Sequence, residues 1–459
     1  GRGASFQNHL MSGAAVIILG SGLTGLSAAV ALKRRGCRVT LLESAARPGG
    51  AVQTEHSDGF LVEHGPNSMM VDDPAIAAFF HDAGLEGEMV GPQAKKRYLV
   101  RKGRPVALPA GPGGALATPL FSLRGKLRVL GEPFVPRGTH DDESLARMVR
   151  RRLGGEVLDY AVEPFVAGIY AGDPARLSAK HAFPKLWRLE RDHGSFVRGA
   201  MRRARGGPRP TMLSFRGGMG VLPEKLGASL GDDLRRHVRV GAIGRSGEGW
   251  SVEWDEQGRR KRATATTLVC AIPAFAVANL PWPEDLRGQL GLFGRIEYTP
   301  VSVLALGFHR TEVAHPLDGF GMLVPAAEKR RILGTIFSSS LFPGRAPDGC
   351  VLLTTFVGGA RQPDLAALAD DELERVACDD LRVLLGVRGE AVFRRIVRWP
   401  RAIPQYNLGY GEVLSALEKL EAAHSGLHFV GNYRGGIAAG QCIRNGLRLA
   451  EEIGACIPS

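Results

Sequence analysis

Ala15-Val16-Ile17-Ile18-Leu19, then Gly20-Ser21-Gly22-Leu23-Thr24-Gly25, then an alanine-rich run closing on Lys33-Arg34-Arg35 decide how this chain folds. The first piece is apolar and largely β-branched, which suits a buried strand, and the last suits a helix. Between them Gly20, Gly22 and Gly25 form G-x-G-x-x-G, and a second strand expected at Cys37–Leu42 ends in Glu43, about 20 residues on from the motif. In that context Gly20 makes the tight turn, Gly22 lets backbone approach a pyrophosphate, and Gly25 lets the helix pack close on the strand. The phosphates then rest on N–H groups where Leu23 and Thr24 open the helix. Glu43, followed by Ser44, suits the ribose, because both ribose hydroxyls donate and a carboxylate only accepts. The plain alternative is a chance glycine turn, and the motif alone does not separate NAD from FAD. The run from Met11 to Leu32 carries no charge, yet its division into strand, turn and helix fits better than one membrane span or a signal peptide.

The 459 residues give length for about three domains. Hydrophobic residues at 44% and charged residues at 23% exclude fibrous and disordered classes, while 61 Gly and 28 Pro imply many tight turns. Lys and Arg number 59 against 46 Asp and Glu, a net charge of +13 that favours nucleic acid, anionic lipid or a small polyanion as partner. No nucleic-acid-binding motif accompanies the charge. Cys37, Cys270, Cys350, Cys378, Cys442 and Cys456 lie far apart without metal spacing, so reduced structural thiols and no metal site are expected. No Ser/His/Asp set or paired-carboxylate motif stands out. Residues 1–10 read as an expression scar ahead of Met11.

Later segments rejoin the nucleotide domain. Phe215–Gly220 precedes a helix, His237–Val240 and Trp250–Trp254 alternate as strands, and Leu268–Pro273 and Leu427–Asn432 read as strands, with helix from Gln441. The expected domains are therefore 11–68, 214–278 and 405–457 for the nucleotide, 69–105 and 279–404 for an α+β substrate domain, and 106–213 for a helical one. Lys95 to Arg104 holds six basic residues, and Arg147, Arg150, Arg151, Arg152, Arg198, Arg202, Arg203, Arg205 and Arg209 follow. Leu116, Leu120, Phe121, Leu123, Leu127, Val129 and Leu130 interleave with Arg124, Lys126 and Arg128, which suits a bilayer interface but is too short to span. The bland reading is helices packed on their own domain with a solvated basic face.

After Glu43 come Arg47-Pro48-Gly49-Gly50, Gly59-Phe60 and Glu63-His64-Gly65-Pro66-Asn67-Ser68. This resembles the extended flavin signature of the amine oxidase-like superfamily. The resemblance implies FAD, with Arg47, Gly49 and Gly50 along its pyrophosphate and Gly65, Pro66 and Asn67 near the flavin. Gly168-Ile169-Tyr170-Ala171-Gly172-Asp173, Leu177-Ser178, Phe183-Pro184, Gly319–Pro325, Gly358–Pro363, Arg398-Trp399-Pro400, Ile403-Pro404-Gln405-Tyr406 and the tail Gly431 to Gly446 add to it. In this order they resemble the flavoprotein oxidases of haem synthesis, the protoporphyrinogen and coproporphyrinogen oxidase family, over nearly the whole chain.

That resemblance implies an α/β fold: a Rossmann-like FAD-binding domain of amine oxidase/p-hydroxybenzoate hydroxylase type, an α+β substrate domain and a helical membrane-associated domain. It implies non-covalent FAD and the six-electron oxidation of protoporphyrinogen IX to protoporphyrin IX, with oxygen as acceptor and hydrogen peroxide as product. One flavin accepts two electrons at a time, so three rounds are needed, and no protein acid or base is certain to take part because the cofactor carries the hydride step. Val238, Trp399, Gly431, Ile437 and Ala438 match cofactor positions, although Gly436-Ile437-Ala438-Ala439-Gly440-Gln441 departs from the usual family run. Arg97 matches a position pairing with a substrate propionate, Phe320 and Leu323 a pyrrole sandwich, Gly168 the backbone beside the macrocycle and Phe356 an apolar wall. For these the bland alternatives are a solvated base and ordinary core. The implied setting is the cytoplasm, peripheral to the inner membrane's cytoplasmic face, with a hand-over partner in haem synthesis; a homodimer is left open. Coproporphyrinogen III oxidation is the nearest rival, and flavin amine oxidation or carotenoid desaturation the more remote ones.

Overall fold

Strand Ala15–Leu19 divides its side chains between two cores, and the nucleotide-binding part is arranged about that division. Val16 and Ile18 pack with helices Leu23–Arg34, Val221–Leu230 and Ala439–Ala455, while Ile17 and Leu19 pack with Trp250, Leu268, Phe429 and Tyr433. A parallel strand buried on both faces reads as an unbroken apolar run, as this one does. Its sheet has the order Leu234–Arg235, Arg38–Leu42, Ala15–Leu19, Thr267–Cys270, Leu427–Phe429, with every adjacent pair parallel. Three distant stretches of chain thus build one sheet. The structure, a computed structural model, describes residues 14–455 except 110, 112, 113, 115, 116, 204–209 and 248. The scar expected at 1–10, Met11, Leu116, Arg205, Arg209 and Cys456 lie outside the described residues.

An antiparallel meander, Val238–Ser246, Gly249–Glu256 and Arg259–Ala265, covers one face of this sheet through Trp250, Val252 and Trp254. A seven-stranded sheet forms the second unit, in the order Phe393–Pro404, Tyr298–His309, Cys350–Gly358, Ile332–Phe337, Gly319–Leu323, Lys96–Arg101, Arg104–Ala107. It is antiparallel except where Gly319–Leu323 runs parallel to Lys96–Arg101. Two expected boundaries move. Met69, Ile76, Phe79, Phe80 and Leu85 pack in the nucleotide-side core, and Met69–Val71 and Met89–Val90 pair with Thr211–Phe215, so the substrate sheet is entered only at Lys96. Likewise Trp282, Leu286, Leu290, Phe293 and Ile296 pack beside Phe429 and Tyr433. Apolar spacing announces burial without saying against which core.

The helical region holds Leu123–Leu130, Leu145–Leu153, a wide turn Leu158–Val162, Glu163–Tyr170, Pro184–His193 and Phe196–Arg203. Ser122 and Ser144 cap the first two helices, accepting from the N–H groups of Gly125 and Arg147. Among the described residues no helix is long and apolar enough to cross a membrane. Two of the arginines expected on a solvated basic face turn inward, Arg152 wholly and Arg151 in part. Arg152, fully buried, donates to Glu132 Oε1 at 2.7 Å and to the Gly194 carbonyl at 2.6 Å, and Arg151 bridges Glu143 and Glu190. Glu132, equally buried, also accepts from Ser195 Oγ and from the N–H groups of Phe196 and Val197. Burial alone would raise its carboxyl, but these donors and Arg152 together hold it below the ordinary glutamate range.

Removing Glu132 leaves the buried Arg152, among the described residues, with only Glu190, 3.0 Å from its Nε, to balance its charge. Glu132→Ala is expected to destabilise the protein by about 3–5 kcal/mol, read as a lowered midpoint in urea. Because the folded-state carboxyl lies below its unfolded value, its contribution is complete above the unfolded pKa and fades as pH falls through the folded one. The difference in midpoint between parent and Glu132→Ala should therefore shrink toward acid pH.

Candidate cofactor and substrate site

Gly20, with φ of 96°, donates its N–H to the Leu42 carbonyl at 2.8 Å and turns the chain off the central strand into the helix. A Cβ on Gly25 would stand 2.0 Å from the Gly20 carbonyl oxygen, so only glycine admits the helix this close. A Cβ on Gly22 would meet no protein atom within 4 Å. Gly22 therefore faces open space at the N-terminus of helix Leu23–Arg34, where backbone N–H groups and the helix dipole favour a phosphate. Gly49 closes one side: its N–H donates to the Ser21 carbonyl at 2.8 Å, and Gly22 and Gly49 pair as an isolated bridge. Gly49 and Gly50 have φ of 112° and 59°, conformations that suit glycine. Arg47 is exposed beside them, 3.4 Å from Gln53 Oε1.

Glu43 is held in place. Its Oε2 accepts from the Ser21 N–H at 2.8 Å and hydroxyl at 2.6 Å, and its Oε1 accepts from the Ala45 N–H and the Ser44 hydroxyl. Two of these donors are rotatable hydroxyls, which ribose hydroxyls would replace in a bound dinucleotide. Cradle and carboxylate fit FAD. Val238 has a buried side chain and donates its N–H to the Glu43 carbonyl at 2.9 Å, which joins the meander to the second nucleotide strand beside Glu43.

The turn Glu63-His64-Gly65-Pro66-Asn67 leads from the cradle toward the second sheet. A Cβ on Gly65 would stand 2.1 Å from the Ala51 carbonyl oxygen, which fixes the turn against the Gly49-Gly50 segment, and Asn67 Nδ2 lies 3.4 Å from the Gly65 carbonyl. Trp399 donates its indole N–H to the His64 carbonyl at 2.8 Å, the link between cofactor turn and substrate sheet. Below the turn, Glu63 is 3% exposed and accepts from Thr54 Oγ1 at 2.6 Å and the Met219 N–H at 2.8 Å. Burial pushes its carboxyl up to about 7, against these donors and Arg345. On the opposite side, Gly431 follows the last sheet strand, and Ile437 and Ala438 lead into helix Ala439–Ala455, with the Ala438 N–H donating to Gln441 Oε1 at 3.0 Å. Cys442 is buried in that helix and burial raises its thiol to about 11, a packing cysteine with no nucleophilic character.

One row of the substrate sheet carries most of the remaining positions. Leu323 is opposite Gly334, Gly334 opposite Phe356, Phe356 opposite Val303, and Val303 opposite Val397. Gly334, which the sequence reading did not single out, leaves the row without a side chain between Leu323 and Phe356. Helix Glu163–Tyr170 lies over it, and a Cβ on Gly168 would stand 2.7 Å from Leu323 Cδ2. Phe356 and Trp399 belong to one apolar cluster with Ala167, Val301 and Leu333. At the rim, the exposed Arg97 has its guanidinium carbon 5.5 Å from the Phe320 ring centre. Among the described residues Arg97 makes no ion pair, whereas its neighbours Lys96 and Arg101 are committed to Asp318 and Glu156.

Gly22→Val is expected to fold with the melting temperature of the flavin-free parent and to purify without flavin absorbance, because a Cβ there meets no protein atom but stands in the phosphate space. Glu63 carries a second expectation. Its folded-state carboxyl is raised, so stability is complete below its unfolded pKa and lost as pH rises through about 7. Melting temperature should fall between about pH 5 and pH 7 in the parent, level off above that, and fall less in Glu63→Gln.

Residues 23–454 match the family model described as flavin containing amine oxidoreductase. The chain is 35% identical to protoporphyrinogen oxidase 2, chloroplastic/mitochondrial, of Arabidopsis thaliana over 98% of its own length and 95% of that protein. It is 28% identical to coproporphyrinogen III oxidase of Bacillus subtilis, over 94% of its own length and 96% of that protein. A solved structure from Exiguobacterium sp. 255-15 shares the fold with a TM-score of 0.81 at 24% identity, covering 97% of this chain and 99% of that one. Cradle, apolar row and full-length likeness agree: the chain is an FAD-dependent oxidoreductase that belongs to the flavin-containing amine oxidoreductases and, within them, to the protoporphyrinogen and coproporphyrinogen oxidase family.

Proposed function

We propose that the protein oxidises protoporphyrinogen IX to protoporphyrin IX, removing six electrons, with oxygen as acceptor and hydrogen peroxide as product. The observation that carries the reading is Arg97, which among the described residues makes no ion pair and stands over Phe320 at the rim of an otherwise apolar slot. A guanidinium there meets a propionate bidentately, while Phe320, Leu323, Gly334 and Phe356 accept the flat apolar remainder. Gly168, by having no side chain, lets helix Glu163–Tyr170 lie directly on Leu323 and close that end of the slot. FAD, when bound, supplies the two-electron acceptor. The chain's own residues orient the macrocycle and exclude water, and the apolar row offers no acid or base to the carbon being oxidised.

The same row bears on coproporphyrinogen III, the substrate class named for the Bacillus relative. That tetracarboxylate would bring further charged groups toward apolar walls, and an unpaired carboxylate in such surroundings is costly. Protoporphyrinogen carries small apolar vinyl groups at those positions. Arg97→Ala is expected to lose about ten- to a hundredfold in kcat/KM, mainly in KM, corresponding to about 1.5–3 kcal/mol for a charge-assisted contact. Arg97→Lys should recover only part, with flavin content unchanged in both. Equal kcat/KM of parent and Arg97→Ala in a protoporphyrinogen titration would return Arg97 to the solvated basic face and favour the coproporphyrinogen reading.

The reading includes attachment to the cytoplasmic face of an inner membrane, and a hand-over partner for the product. Its support is one exposed apolar face: Leu123, Leu127, Leu130 and Phe134 are 74%, 58%, 61% and 84% exposed at successive turns, with Arg124 beside them. Leu120, counted in the apolar stretch by sequence, is fully buried, and Arg128 turns inward to the Arg151 carbonyl. The interface is therefore the outer face of helix Leu123–Leu130 continued to Phe134, with an anionic lipid surface as its occupant. Flotation with anionic vesicles at low salt should carry the parent upward and leave a Leu127→Ser/Leu130→Ser/Phe134→Ser variant behind. A parent that stays with the soluble fraction would remove the membrane from the reading.

A further inference from the structure

Gly358-Gly359-Ala360-Arg361-Gln362-Pro363 stands out in the sequence, yet nothing in the cofactor cradle or the apolar row uses Arg361. Its side chain, 14% exposed, reaches across the edge of the substrate sheet. Arg361 Nη1 donates to the Val324 carbonyl at 3.0 Å, and Nη2 donates to Glu163 Oε1 at 2.5 Å. Glu163 Oε2 accepts from the Ala326 N–H at 2.9 Å. Glu163 opens the helix that carries Gly168, and Val324 follows Leu323 directly. The base of the clamp is itself anchored, because the Ala360 N–H donates to the Ala171 carbonyl at 2.7 Å, just past the same helix.

We propose that Glu163 and Arg361 are positioning residues that set one wall of the substrate slot, where Gly168 lies on Leu323, by clamping the start of helix Glu163–Tyr170 to the chain after Leu323. The proposal rests on the reading that this slot takes a porphyrinogen. The geometry points to such a device: Gly168 lies directly on the Leu323 side chain with no room for a methyl group between them, so the two form one wall whose shape is set by whatever fixes the backbones behind it. The turn Leu158–Val162, wound wider than an α-helix, precedes Glu163 and gives the helix a place to shift. A lysine at 361 keeps the charge but cannot hold Glu163 and Val324 together, since the two acceptors lie on different branches of one planar fork. Glutamine at 163 keeps the acceptor for Ala326 and loses the charge that strengthens the Arg361 bond. Neither residue is placed in contact with the substrate, so both act through Gly168 and Leu323.

The test is a double-mutant cycle on the flavin-loaded enzyme with protoporphyrinogen IX and, separately, coproporphyrinogen III. Arg361→Lys and Glu163→Gln should keep parental flavin content and melt within a few degrees of the parent, while KM rises about tenfold and kcat changes less than about threefold. Gly168→Ala alone should lower kcat/KM about a hundredfold, because its methyl group meets Leu323 and pushes the helix off that wall. In the Arg361→Lys background the further loss from Gly168→Ala should shrink to less than about tenfold, since the loosened helix can back away. Additive losses with an active parent overturn the clamp and leave the substrate reading intact. Loss of flavin or a large fall in melting temperature in both Arg361→Lys and Glu163→Gln makes the pair a general brace, which also overturns it. A flavin-loaded parent that oxidises neither porphyrinogen overturns the substrate reading, and the clamp with it.

Discussion

Backbone meeting backbone with no side chain between is the constraint on which the cofactor half depends. Helix Leu23–Arg34 is held from two sides in this way. A Cβ on Gly25 would stand 2.0 Å from the Gly20 carbonyl oxygen, and a Cβ on Gly446 would stand 2.5 Å from the Thr24 carbonyl oxygen. The first contact sets the helix against the central strand, and the second sets the last helix of the chain against the first turn of this one. Because both are fixed, the open space at Gly22 has a defined place and its N–H groups a defined direction. A methyl group at Gly25 or Gly446 has to move a whole helix, whereas one at Gly22 moves nothing in the protein and obstructs only what binds there.

The two units are joined around the hairpin Thr54–Ser57 and Phe60–Glu63. Phe60 stacks on Phe393 with ring centres 4.5 Å apart, and the Leu61 N–H donates to the Arg345 carbonyl. Arg345, 2% exposed and contributed by the substrate unit, donates to the Phe215 carbonyl at 2.9 Å and to Ser214 Oγ at 3.1 Å, with Glu63 at 3.9 Å. A buried guanidinium spread over several acceptors tolerates little sliding, since each lost partner leaves an uncompensated donor. The joint therefore holds Trp399 on the His64 carbonyl and keeps the substrate row in register with the cofactor turn.

The nucleotide fold was legible because its requirements are local and steric. Two-sided burial writes an apolar run at Ala15–Leu19, and close approach writes glycine at 20, 22 and 25, both within one short window. The boundaries near residues 69–90 and 282–296 were not legible, because Ile76, Phe79 or Phe293 would read the same against either core. Arg151 and Arg152 misled for a related reason. A guanidinium has one appearance in sequence whether it is solvated or buried, and its partners Glu190 and Glu132 are 39 and 20 residues away. Arg97 and Phe320 were readable only through family likeness, since a contact between residues so far apart leaves no periodicity. Gly334 left no signal at all: a gap in a wall becomes visible only once its neighbours Leu323 and Phe356 are paired across it.

Affinity and orientation are divided between different groups in such a slot. Burying about 300 Å² of an apolar macrocycle contributes about 7 kcal/mol at ~25 cal/mol per Å², before the cost of association, and this attraction has no direction in the plane of the ring. A single bidentate contact adds about 1.5–3 kcal/mol but fixes one edge of the ring at the rim. The smaller contribution therefore decides which carbon faces the cofactor turn, and it does so only if the walls stay parallel and close enough to prevent tilting. On the proposed reading that demand falls on Gly168 against Leu323 and on Gly334 between Leu323 and Phe356, positions where no side chain intervenes. An oxidase that leaves the bond-breaking to its cofactor can put its charged groups into holding the walls, and among the described residues the buried carboxylates Glu63, Glu132, Glu143, Glu190 and Asp380 are all engaged by protein donors or cations.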